Sequence, residues 1–203
     1  KSDFENIIFD FGGVIINIDY QATIEAFKSL GITDFEALYS QAEQSDLFDA
    51  IETGRISPQQ FINGILDLLP AGTTPNQVVH AWNAMILDIP SDRIEFLLEL
   101  KKTHQIYLLS NTNSIHIDKA MREWNATSQE DINLVFDKVY LSHEIGLRKP
   151  HPEIFMYVCE EQGLNPTKTL FIDDSVQHIH GAREAGLKAH HLLSEETIQS
   201  ILS

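Results

Sequence analysis

Cations are scarce in this sequence. Its 203 residues include 14 Lys and Arg against 30 Asp and Glu, a formal net charge of −16. Such a field repels a duplex or an RNA, so no nucleic-acid partner is expected. It also requires any anionic small molecule to be met by local cations or a metal. Cysteine is nearly absent. Cys159 stands alone, which excludes an internal disulfide and removes any argument for an oxidising compartment. Its apolar neighbours, Phe155 to Val158, read it as a small buried hydrophobe. There is no apolar run of the roughly 18 residues needed to span a bilayer. No charged start leads into an apolar segment of the secretory kind. No membrane partner is expected, and the expected location is cytoplasmic. The first residue, Lys1, is not methionine, which leaves room for a natural start that lies upstream or has been trimmed.

What is present is ordinary globular material. The chain is 43% hydrophobic, with seven Pro and ten Gly. That suffices for one sizeable core, or for a core with a small domain inserted. Four short apolar runs have the continuous character of strands buried on both faces of a parallel sheet: Asn6–Asp10, Ile106–Ser110, Val139–Ser142 and Thr169–Asp173. Lys188–Leu193 is a weaker fifth. Helical patterns separate them. One begins after Pro90-Ser91, one runs from Pro152 to Gln162 and stops at Gly163, and one runs from Ser175 to Ala185 and stops at Gly186. Strand and helix in alternation, with right-handed crossovers, give a doubly wound α/β sheet.

One segment breaks the alternation. Residues 20–89 contain no buried-strand run, only helical stretches over Ala22–Phe27, Phe35–Leu47, Ser57–Leu69 and Pro75–Met85. The expected organisation is a core of residues 1–19 and 90–203, with 20–89 as a helical insertion.

Polar residues at the carboxyl ends of the strands carry the chemistry, because ligands of open α/β sheets sit in the crevice outside those ends. Asp10, Ser110, Asp173 and Asp174 should converge there. Any one of them could be only a helix cap; four in order are harder to dismiss.

The motifs that hold these residues resemble those of the haloacid dehalogenase superfamily. IIFDFGGVII around Asp10 is similar to its first motif and Ser110-Asn111-Thr112-Asn113 to its second. Lys149-Pro150 in GLRKPHPEIF is similar to the third, and FIDDSVQHIHGAREAG, Phe171 to Gly186, to the fourth. The D-x-G-x-V form of the first motif and Glu52-Thr53-Gly54-Arg55-Ile56-Ser57 most resemble the glucose-1-phosphate phosphatase-like subgroup.

The resemblance implies a Rossmann-like sheet core with an inserted helical cap. It also implies a magnesium-dependent phosphatase acting on a small phosphorylated metabolite, a sugar phosphate among the candidates. Asp10 is then the nucleophile that forms a phosphoryl-aspartate. Asp10, the Gly12 carbonyl and one or both of Asp173 and Asp174 ligate Mg2+, an ion that takes oxygen donors. Ser110 and the Asn111 N–H hydrogen-bond the phosphate, and Lys149 neutralises both it and the nucleophile. Arg148 faces either the phosphate or solvent. Arg55 is a solvated turn charge or reaches the site. His178 stands where the family often has Asn and reads as structural, as do His180, His190 and His191. Trp82 and Phe61 read as cap core.

The chain departs from the family's phosphatases at one position. Two residues after the nucleophile they carry an Asp that protonates the leaving oxygen; here it is Gly12. Asp19 is the nearest spare carboxylate. The departure keeps two alternatives open: a dehalogenase-type C–X hydrolase, and a non-catalytic member that binds a phosphorylated ligand or a protein.

Overall fold

The computed structural model describes residues 4–203, with the backbone alone at Gln44; residues 1–3, the start of the expected core, lie outside the described residues. The elements run β1 (Asn6–Phe9), α1 (Tyr20–Ser29), α2 (Phe35–Gln44), α3 (Leu47–Glu52), α4 (Pro58–Leu66), α5 (Pro75–Asn83), α6 (Ser91–Leu100), β2 (Gln105–Ser110), α7 (Ser114–Thr127), α8 (Ile132–Val135), β3 (Lys138–Leu141), α9 (Ser142–Ile145), α10 (Pro152–Gln162), β4 (Thr169–Asp173), α11 (Val176–Glu184), β5 (Lys188–His191) and α12 (Ile198–Leu202).

The five strands are those read from the apolar runs, all parallel, in the order β3-β2-β1-β4-β5. Side chains alternate between the two faces of each strand. Ile7, Phe9, Ile106, Leu108, Leu170 and Ile172 therefore fill one buried cluster with α6, α7, α8 and α12. Ile8, Tyr107, Leu109 and Phe171 fill another, on the opposite face, with α10 and α11. Connections leave β1 toward β2 on one side and return to β4 on the other. The strand order thus reverses between β1 and β4, where a doubly wound sheet opens its ligand crevice.

Helices α1 to α5 lie between β1 and α6 and share a third cluster that includes Phe27, Ile51, Phe61, Ile65, Val78 and Trp82. Their starts are written locally. Asp19 and Asp34 accept N-cap hydrogen bonds, and Ser57 and Thr74 form capping boxes ahead of Pro58 and Pro75. The stretch 35–47, read as one helix, is two. Asp46 takes a left-handed conformation, φ 63°, which a helix of L-residues does not continue through. The break lets Leu47 lie flat on Gly64, where an added Cβ would come within 2.7 Å of the leucine methyl. The two chains joining this group to the sheet run side by side, with Asn17 N–H on Asp88 O at 2.9 Å and Leu87 N–H on Asn17 O at 3.0 Å. One core residue, Ile115 of α7, enters the helical cluster. Among the described residues no helix is long and apolar enough to cross a membrane.

Candidate active site

Asp10 directly follows β1, its N–H still on the ladder to Ile172 O at 2.9 Å, and Asp173 closes β4. Lys149 arrives from the loop between α9 and α10. It is fully buried. Its ammonium donates to Asp10 Oδ1 and to Asp173 Oδ2, each at 2.7 Å. Asp173 is held further by the Ser175 N–H on Oδ1 at 2.8 Å and by His178 Nδ1, 2.8 Å from Oδ2. Asp174 turns to the more open side and packs on Gly13. That glycine has φ +75°, and a Cβ there would sit 2.2 Å from Asp174 Oδ2; side chain and carboxylate cannot both be accommodated.

Charge is not balanced in this cluster. Burial pushes the Asp10 carboxyl up, and Lys149 only partly offsets this against the nearby Asp173. Burial pushes Asp174 up as well, with Asp173 adding to it. Burial also acts on Asp173, but Lys149 and His178 outweigh it and hold that carboxyl well below its usual range. For Lys149, burial is outweighed by Asp10 and Asp173, which keep the ammonium charged. Three carboxylates thus share one ammonium. An oxygen of each of Asp10, Asp173 and Asp174 lies within 4.8 Å of the others. An all-oxygen set short of positive charge is what a small divalent cation such as Mg2+ fits.

The second motif does more than end β2. Ser110 is buried and borders the site. Asn111 Nδ2 donates to Lys149 O at 2.8 Å, and its Oδ1 accepts from Lys149 N–H at 2.9 Å. Thr112 exchanges two hydrogen bonds with the Ser142 hydroxyl at 2.9 and 3.1 Å. Asn113 caps α7 by accepting from His116 N–H at 3.0 Å.

These residues open into a cavity of about 660 Å3 between the sheet edge and α1–α3. Asp10, Gly12, Ser110, Asn111 and Asp174 line its floor. Tyr20, Tyr39, Phe48, Trp82 and His116 make an aromatic wall, and Glu52 and Arg148 stand beside it. Rings stack along that wall: Tyr39 on Phe48 at 4.7 Å between centroids, Phe48 on Trp82 at 5.5 Å, Trp82 on His116 at 4.8 Å. Burial pushes the His116 imidazole down to about 4, against a hydrogen bond to Trp82 O that favours the cation.

Asp10, Lys149, Ser110, Asn111, Gly12, Asp173 and Asp174 all come together. Arg148, partly open beside the cavity, turns its guanidinium to Asp49 at 3.0 Å and Glu52 at 2.8 Å, both on α3. Arg55 stays at the surface with Asp46 and Asp49, outside the cavity lining. Asp19 also lies outside that lining, and its Oδ1 is taken up by the Gln21 N–H at 2.9 Å as the α1 cap. His190 pairs with Glu196, and His191 Nε2 lies 3.0 Å from Asp174 O. Sequence reasoning missed Tyr20, Tyr39, Phe48 and His116 as cavity wall and left Trp82 in the core. Aromatics at helical spacing look alike whether they face a core or a cavity.

Comparison with known proteins points the same way. A family model described as haloacid dehalogenase-like hydrolase matches residues 4–186. D-ribitol-5-phosphate phosphatase of Bacteroides thetaiotaomicron is 33% identical over 184 residues, covering 91% of this chain and 89% of the relative. A glyceraldehyde 3-phosphate phosphatase of Methanocaldococcus jannaschii is 27% identical, covering 85% of this chain and 68% of that one. Among solved structures, a haloacid dehalogenase family enzyme of Bacteroides thetaiotaomicron in complex with magnesium and inorganic phosphate superposes with a TM-score of 0.90. It is 34% identical, and the match covers 98% of this chain and 100% of that one.

Proposed function

The chain belongs to the haloacid dehalogenase-like hydrolases and is a phosphoric monoester hydrolase with magnesium as its cofactor, and on that premise we propose that it hydrolyses a small sugar or polyol phosphate through a phosphoryl-aspartate at Asp10. The observation that carries this reading is the Lys149 ammonium lodged between Asp10 and Asp173 at 2.7 Å each, at the sheet's switch point. That arrangement orients one Asp10 oxygen on the lysine and leaves the other toward the cavity. The free oxygen attacks phosphorus as the bond to the leaving oxygen breaks. Lys149 balances charge on the nucleophile and the transferring group. The Ser110 hydroxyl and the Asn111 N–H donate to phosphoryl oxygens. Water then cleaves the Asp10–phosphoryl bond and restores the carboxylate.

Asp10, Asp173, Asp174 and the Gly12 carbonyl would hold the magnesium ion, which when bound supplies positive charge against the phosphate. In this reading residues 20–89 act as a cap over a core formed by 1–19 and 90–203. The polyol assignment draws on the ribitol-5-phosphate and glyceraldehyde 3-phosphate phosphatases among the relatives.

Asp10→Asn is the direct test. The amide is nearly the same shape but is no nucleophile. Turnover should fall at least a thousandfold with the melting profile retained, and chelation should abolish wild-type turnover until magnesium is restored. Activity within about tenfold of wild type, roughly 1.4 kcal/mol of barrier, would remove Asp10 from the role.

A further inference from the structure

We infer that Glu52, held by Arg148, is the specificity-determining contact for the end of the substrate remote from phosphate, and that it selects a neutral, hydroxyl-bearing end over an anionic one. This rests on the phosphatase reading above and adds which substrates the same cavity takes.

Glu52 closes α3 and lines the cavity, with 22% of its side chain still open. Arg148 Nη2 lies 2.8 Å from its Oε2. Yet the N–H is not aimed at that oxygen, and Glu52 Oε2 and Arg148 Nε are both buried without a hydrogen-bond partner among the described residues. Both atoms are sealed from the cavity and Oε2 is taken by the guanidinium, so a ligand meets the rest of the Glu52 carboxylate, on the 22% of the side chain still open. An ionised carboxylate accepts hydrogen bonds and donates none, so it takes hydroxyl donors, and vicinal hydroxyls on a polyol or sugar offer them in pairs.

The surroundings sharpen the choice. Asp49 shares Arg148 with Glu52, at 3.0 Å, and also pairs with Arg55, which Asp46 holds from the other side, so three carboxylates here face two guanidinium groups. A carboxylate or second phosphate at the far end of a substrate would meet this excess of negative charge. A hydroxyl would not. The neighbouring Tyr39 and Phe48 rings, stacked at 4.7 Å, offer a flat apolar face to the carbon chain of such a molecule. The cavity, about 660 Å3, has room for more than phosphate. The pair also joins the two parts of the molecule. Arg148 precedes Lys149, and Gly54, two residues after Glu52, packs so closely on the core that an added Cβ would lie 2.3 Å from His143 O.

The test uses the full chain with magnesium and three probes: a pentitol 5-phosphate, the pentonate 5-phosphate that differs by a terminal carboxylate, and an aryl phosphate with no hydroxyls. Wild type should favour the pentitol over the pentonate by at least tenfold in kcat/KM. Glu52→Leu should lower the pentitol-to-aryl ratio by about tenfold to a hundredfold, the range of lost hydrogen bonds to a charged group. Glu52→Gln, which keeps hydrogen-bonding capacity, should retain most of the pentitol rate but narrow the pentitol-to-pentonate ratio. A merely structural role would lower all three substrates in proportion, and that result overturns the inference, as does a wild-type preference for the pentonate. Should Glu52→Leu fold poorly, the Gln variant decides by its ratios alone. If none of the probes is hydrolysed, the phosphatase reading fails. Calorimetric binding of the pentitol phosphate to wild type and to Glu52→Gln, against the pentonate, then still decides the role of Glu52.

Discussion

The Asn111 carboxamide grips the Lys149 backbone from both sides, donating to its carbonyl at 2.8 Å and accepting from its N–H at 2.9 Å. Lys149 is 38 residues further on, on a loop that must deliver an ammonium to two carboxylates. The end of β2 is rigid because it lies inside the sheet, so the clamp refers the loop to the most fixed part of the molecule.

Asn111→Ala should therefore act on Lys149 rather than on substrate alone. It strands two backbone groups, at a cost to stability of about 1–3 kcal/mol. Turnover should fall about a hundredfold, the scale of an ångström-sized misplacement of a catalytic group. The decisive comparison is a double-mutant cycle. With Lys149→Ala already made, adding Asn111→Ala should cost little further activity. Additive losses would mean that Asn111 contributes independently of the lysine.

How much of this was legible in the sequence differs by residue. Asp10, Ser110, Asp173 and Asp174 were readable because a strand end fixes both where a side chain stands and which way it faces. The five strands were readable for the same reason: buried parallel strands are continuous apolar runs. The Asn111 clamp was not, since an amide beside a serine looks the same whether it meets phosphate or backbone. The destination of Arg148 depended on where α3 falls. That helix was invisible because the break at Asp46 has no Gly or Pro to mark it. The aromatic wall was hidden by periodicity itself. Tyr39, Phe48 and Trp82 sit at positions a helix would also give to its core.

The cap assignment can be tested by excision. Ile86 and Ile89 belong to the cluster on the sheet, and Asn17 and Leu87 are paired in the linkers. A deletion that spares them should join Asp19 to Met85 through a short linker rather than cut through to Ile89. The shortened chain should fold, with Ile115 newly exposed and substituted by a polar residue. It should hydrolyse aryl phosphate with weakened discrimination among metabolites. A shortened chain that does not fold cooperatively would make α1–α5 part of the core's own stability.

His116 gives a prediction about pH. Its folded-state value of about 4 lies below the ordinary histidine value of 6.5, so the native state resists protonation that the unfolded chain accepts. Its contribution is fully present above about pH 6.5 and is lost as pH falls toward 4. Because the ring borders the cavity, screening reduces the effect, and a loss of about 1–3 kcal/mol is expected. Urea unfolding of wild type and His116→Gln at pH 7.5 and pH 4.5 isolates it, since other groups titrate in both proteins. The stability gap between the two should shift against wild type at the lower pH. A gap that does not change with pH would mean that the imidazole is not shielded as the Trp82 contact indicates.

Gly12 sets the last expectation. No side-chain acid stands two residues beyond Asp10, and Asp19 spends an oxygen on the α1 N-terminus at 2.9 Å, outside the cavity lining. The leaving oxygen must therefore depart with little protonation. Turnover should depend steeply on leaving-group acidity, with aryl phosphates, acyl phosphates and sugar 1-phosphates well ahead of alkyl phosphates. General acid help is typically worth about 10²–10⁴-fold, and its absence should appear as that spread. The second half-reaction lacks a positioned base for the same reason, so the phosphoryl-aspartate should accumulate and give a burst with a good leaving group. A flat dependence without a burst would show that another group protonates the leaving oxygen. Asp19→Asn then discriminates. If the variant turns the flat profile steep, Asp19 leaves its cap during turnover; if it leaves the profile flat, the proton comes from water or from the substrate's own hydroxyls.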